Sequence, residues 1–192
     1  RTFKSTPADW QKKVFGTAVG EHNYYWQQMT GGKIQFTPAQ ESSGTANDGV
    51  IAITLNTAHP NNIDPTRTGA VVDVPFQTIL NAADPLVNFS QYDTNGDGLI
   101  QSYELTVVTV YAGYEASEGN GKLPAVWGHA TLGTAMDSTI EGKTGLARVS
   151  IGELFAGDTT PTIGLIAHEL GHAVFALPDL YGPGVDMKET SI

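Results

Sequence analysis

Residues 168–172 read His168-Glu169-Leu170-Gly171-His172, the pattern H-E-x-x-H, and this spacing constrains the chain more than any other feature. Residues four apart lie on one face of an α-helix, one turn apart. Both imidazoles can act together only if this stretch is helical. The apolar lead Ile163-Gly164-Leu165-Ile166-Ala167 carries the expected helix back to Thr160-Pro161 and sets it against a core, and Phe175 is its expected end. Two imidazoles so placed suit one tetrahedral zinc. Glu169, one step round from His168, then suits the general base that takes a proton from a water at the metal. The competing reading is a pair of surface histidines beside a solvated glutamate on an amphipathic helix.

A catalytic zinc takes three protein ligands and leaves one position open. The chain has no cysteine, so a thiolate ligand is excluded. One known arrangement places a His or Asp six residues after the second His, behind a Gly that turns the chain. Here Phe175 occupies the Gly slot and Pro178 the ligand slot. Asp179, one residue beyond, either reaches the metal from a helix one residue longer or caps a turn after Pro178. Another arrangement uses a Glu on a second helix downstream. Glu189 is the candidate, but Pro178, Gly182, Pro183 and Gly184 leave no room for that helix.

A second signature lies at residues 93–104, DTNGDGLIQSYE. An EF-hand calcium loop needs side-chain oxygens at positions 1, 3 and 5, Gly at 6, a backbone carbonyl at 7 and Glu at 12. Asp93, Asn95, Asp97, Gly98, Leu99 and Glu104 fill these, with Gln101 at position 9 and Ile100 as the apolar anchor. The residues that follow, LTVVTVYAGY, favour a strand over an exit helix. The expectation is one structural calcium loop set between other elements; a plain Asn/Asp/Gly turn is the alternative.

With 192 residues and 20.4 kDa, the chain fits a single domain over 1–192. Its net charge of −10 repels phosphate backbones and anionic lipid, which argues against nucleic-acid and membrane-surface roles. No apolar run approaches the roughly 18 residues of a membrane span. The chain opens on Arg1-Thr2-Phe3-Lys4 without an initiator Met and reads as a processed form or a fragment. Helices are expected over residues 6–16 (Thr6 cap, Pro7 first, Gly16 stop), 20–30 and within 71–83. Strands are expected over 33–37, 50–55, 105–111, 125–129 and 146–151. His22 and His59 lie in polar surroundings and read as surface residues. His129, after Trp127, is a candidate substrate or oxyanion contact, with a structural role as the alternative. Tyr181 is a candidate oxyanion donor or a packing residue.

Four segments resemble the immune inhibitor A family of secreted bacterial zinc metalloproteases: HNYYWQQMTGGKIQFTP (22–38), FSQYDTNGDGLIQSYELTVVTVYAGYEAS (89–117), AVWGHA (125–130) and TIGLIAHELGHAVFALPDLYG (162–182). The likeness spans most of residues 8–182. It implies an α/β metzincin-like fold, with a twisted mixed sheet backed by helices, an active-site helix and an EF-hand-like calcium loop. It further implies a secreted, extracellular endopeptidase acting on protein or peptide substrates. By that resemblance His168 and His172 bind zinc, Glu169 is the base, and Asp179 and Tyr181 match the family's Pro-Asp-x-Tyr element, which makes Asp179 the candidate third ligand. Two departures stand out: only residues 1–5 precede the first helix, where the family has an apolar strand, and the chain ends before a Leu-Met turn beneath the metal. Other segments of the precursor are the expected source of those pieces. The reading from a different class is a calcium-stabilised binding or adhesion domain, derived from a peptidase, that no longer catalyses.

Overall fold

The computed structural model describes residues 1–60, 75–119, 121–131 and 138–179. Helix α1 (Pro7–Phe15) is capped by Thr6 and ended by Gly16 as expected; the structure adds Asp9, which accepts from the Thr6 backbone N–H. Helix α2 (His22–Thr30) stops at Gly31, whose φ of 62° is the left-handed conformation glycine adopts without strain. Helix α3 is Phe76–Ala83, with Pro75 before its first residue. Three-residue and four-residue 3₁₀ turns follow at Asp84–Leu86 and Phe89–Tyr92.

The β-branched run after residue 105 forms strand β1 (Thr106–Glu115). It is followed by β2 (Ala125–Val126), β3 (His129–Thr131) and β4 (Ala147–Leu154), and then by α4 (Ile163–Phe175). The sheet order is β2-β1-β4-β3. Strand β1 runs parallel to β2 and β4, and β3 lies antiparallel on β4 at the edge. The chain is thus mixed α/β with a four-stranded mixed sheet.

Each face of the sheet carries a core. On one side α3 packs Phe76, Ile79, Leu80 and Ala83 against Ile100, Tyr111 and Val126. On the other, α1 and α4 pack Trp10, Ile166, Leu170 and Ala173 against Ala147, Val149 and Ile151. Burial on both faces explains why β4 is enclosed along nearly its whole length. It also fixes the azimuth of α4: with Ile166, Leu170 and Ala173 on the sheet, His168 and His172 turn outward.

Residues 33–37 and 50–55 do not form strands. Their two-residue alternation is real, since Phe36 and Val50 pack on the α4 side and Ile51, Ile53 and Leu55 on the α3 side. What they lack is a ladder. The Asn23 side chain accepts from the Phe36 N–H (2.8 Å) and donates to the Phe36 carbonyl (2.8 Å), taking both groups a neighbouring strand would use. The Val50 N–H goes to Asp48 Oδ1 (2.9 Å). The expected 125–129 strand is instead split into β2 and β3, with Trp127-Gly128 between them. His22 is a further correction: it is fully buried, because the helix face that carries Trp26 inward carries His22 with it. His59 is half-buried rather than exposed.

Candidate metal centre

Helix α4 presents His168 and His172 one turn apart, with their Nε2 atoms 3.0 Å from each other. The Leu177 carbonyl accepts from His172 Nδ1–H at 2.5 Å. That bond fixes the tautomer and leaves the Nε2 lone pair facing outward. Asp179 closes the group, its Oδ1 lying 3.0 Å from His172 Nε2 and 3.3 Å from His168 Nε2. Donor atoms around a tetrahedral zinc, at metal–ligand distances of 2.0–2.1 Å, are separated by about 3.3 Å. The three donor atoms therefore fit a single zinc in both chemistry and spacing. Among the described residues, this is the group of three His or acidic side chains gathered closely enough to hold a metal ion.

The turn that brings Asp179 round is made without glycine. Helix α4 ends at Phe175, and Ala176 adopts φ 52°, ψ 33° while its N–H reaches the His172 carbonyl (3.0 Å). The Leu177 N–H returns to the Gly171 carbonyl (3.2 Å), which completes the reversal. An alanine in the left-handed region is strained by about 1–2 kcal/mol. Ala176→Gly should therefore raise stability by about 1 kcal/mol, read as a higher Tm in calorimetry, and an unchanged or lower Tm would contradict the strain.

Glu169 sits beside the pair, only 6 % exposed. Burial pushes its carboxyl up to about 7; the nearby Glu115 and Asp179 charges add to the rise, and His172 and His129 oppose it. Burial and the His172 charge lower His168 below the ordinary histidine range. Glu115, at the end of β1, is fully enclosed. Its carboxylate accepts from the N–H groups of Gly128 (2.8 Å), Gly152 (2.8 Å) and Ser117 (3.0 Å). It thereby pins the turn between β2 and β3 to the central strands. His129 opens β3, its Nδ1 2.9 Å from the Trp127 carbonyl, on the edge strand that packs against α4. Trp26 of α2 packs against Phe175 in a tilted arrangement, ring centroids 4.9 Å apart, and supports the end of α4. Tyr181 lies outside the described residues.

The 93–104 loop runs through a turn into β1, with no exit helix, and its Ser102 hydroxyl donates to the Val174 carbonyl of α4 (3.3 Å). Gly98 adopts φ 87°, as position 6 requires, and Ile100 is fully buried. Asp93 accepts from the N–H groups of Asp97 (3.1 Å) and Gly98 (3.0 Å) and from the Lys143 ammonium (2.6 Å). That lysine, with the backbone donors, holds the Asp93 carboxyl below its ordinary range. Asn95 Oδ1 accepts from the Asp97 N–H (2.9 Å), and Asp97 accepts from the Leu99 N–H (2.8 Å) and from Gln101 Nε2 (3.1 Å). Glu104 accepts from the Thr94 N–H (2.9 Å) and the Gln101 N–H (2.9 Å). The residue types suit calcium, yet the carboxylates of Asp93, Asp97 and Glu104 do not gather within 4.8 Å of one another, the span of opposed ligands at calcium distances of about 2.4 Å. Sequence reasoning missed Lys143, which lies 39 residues beyond the loop's last ligand position and carries no local signal.

Comparison with protein-family models, with characterised proteins and with solved structures finds no match to this chain. Among the described residues, no helix is long and apolar enough to cross a membrane.

Proposed function

We propose that the chain is the catalytic domain of a secreted zinc endopeptidase with a metzincin-like fold, acting on proteins or peptides. The observation that carries this reading is the convergence of His168 Nε2, His172 Nε2 and Asp179 Oδ1 beside the buried Glu169. The likeness of residues 162–182 to the immune inhibitor A family supports it further. Zinc, when bound, supplies a Lewis acid that polarises a peptide carbonyl and makes water more acidic. His168, His172 and Asp179 would hold it. Glu169 takes the proton of the attacking water on a carboxylate oxygen and delivers it to the leaving amine nitrogen as the C–N bond breaks. Calcium at 93–104 is the structural cation in this reading. Casein hydrolysis tests it: activity stops with a zinc-selective chelator and returns with added zinc. Hydrolysis indifferent to chelation would contradict the mechanism.

A further inference from the structure

The 93–104 loop is closed by a second element. Residues 140–143 form a tight turn, with reciprocal bonds between Ile140 and Lys143 (2.9 and 2.8 Å) and positive φ at Glu141 (49°) and Gly142 (76°). This turn, with Thr144 after it, is fastened at three points to the loop and to the 3₁₀ turn that precedes the loop. The Ile100 N–H donates to the Thr144 carbonyl (2.8 Å), the Thr144 N–H donates to the Gly98 carbonyl (3.2 Å), and Glu141 Oε2 accepts from the Ser90 N–H (2.6 Å). The fastening delivers the Lys143 ammonium to Asp93 Oδ2 at 2.6 Å, with the Asp93 side chain only 1 % exposed. Asp93 is position 1 of the loop, the carboxylate that a calcium ion takes at 2.3–2.6 Å.

We propose that Lys143 is the resident cation of the 93–104 loop, and that calcium enters by displacing its ammonium from Asp93. This rests on reading 93–104 as a calcium loop and is independent of the zinc centre. A doubly charged ion on Asp93 would lie within a few ångströms of Nζ, where like charges repel strongly in partly covered surroundings. Lys143 thus keeps the loop folded without calcium, and its displacement weakens calcium binding. In its absence Asp93 Oδ2 is relieved of the ammonium and can turn to the ion.

Calorimetric titration of calcium chloride into the full chain and into Lys143→Gln tests the proposal. The variant should bind calcium at least about tenfold more tightly, the effect of removing one nearby positive charge. A second measurement needs no variant. Acetylation of Lys143 in the unaltered chain, followed by peptide mass spectrometry, should speed up severalfold when calcium is added. Equal affinities, or labelling unmoved by calcium, would overturn the role of Lys143. Absence of calcium binding in both proteins would overturn the calcium loop itself, and the Lys143 proposal with it, while leaving the zinc reading intact.

Discussion

Glu169→Gln is expected to lower peptide hydrolysis by roughly 10²–10⁴-fold, the usual contribution of a general base, while zinc content stays unchanged. The amide keeps the shape of the side chain, and the residue is not one of the three converging donors. A neutral amide is also cheaper to enclose than a carboxylate at this buried position, so melting should not fall. The combination separates this role from a structural one: activity is lost, while metal and fold are retained. If Glu169→Gln and the unaltered chain cleave casein at the same rate, Glu169 is not the base.

His22 should make the fold acid-sensitive. Its Nε2 accepts from Trp26 Nε1–H at 2.8 Å, and its ring packs against Phe36 at 4.9 Å. Protonating Nε2 would break the Trp26 bond and bury a charge. Burial accordingly lowers the group to about 4. In the unfolded chain a histidine titrates near 6.5. Between these values the unfolded chain binds a proton that the folded chain refuses, so stability falls as pH drops. Above about 6.5 both states are neutral and stability is full; below about 4 both are protonated and the loss is complete, at about 3 kcal/mol. Urea melts at several pH values, compared with those of His22→Gln, isolate this contribution. The variant should lose about 3 kcal/mol less than the unaltered chain between pH 7 and 4. Parallel losses in the two proteins would refute the assignment.

How far the sequence discloses this structure depends on where each signal resides. Local signals read correctly: the Thr6 cap before Pro7, Gly16 after α1, the β-branched start of β1 and the helical H-E-x-x-H segment all appear where residue types place them. Non-local partners defeat the reading. The apolar runs ending at Tyr111 and Ile151 stop short of the true strand ends at Glu115 and Leu154. Each strand continues through a buried glutamate, and a buried carboxylate is tolerable only where distant donors meet it. Glu115 finds them at Gly128 and Gly152. Glu153 finds them at the Lys4 and Ser5 N–H groups (2.6 Å each) and the Ser5 hydroxyl (2.7 Å). Residues 33–37 fail in the opposite sense, since Asn23 intercepts their backbone. At the candidate centre the two histidines are legible from spacing alone. Asp179 is legible only as one of two alternatives, ligand or turn cap, because Ala176 makes a turn that glycine usually announces.

The most direct test of the account is the zinc content of the purified chain after exhaustive dialysis, measured alongside Asp179→Ala. The account predicts about one zinc per chain, and for the variant an affinity loss of more than about 100-fold, beyond the 10–100-fold typical of a residue that only supports a ligand. No zinc retained by the unaltered chain after zinc is supplied, or zinc held equally well by Asp179→Ala, would contradict it.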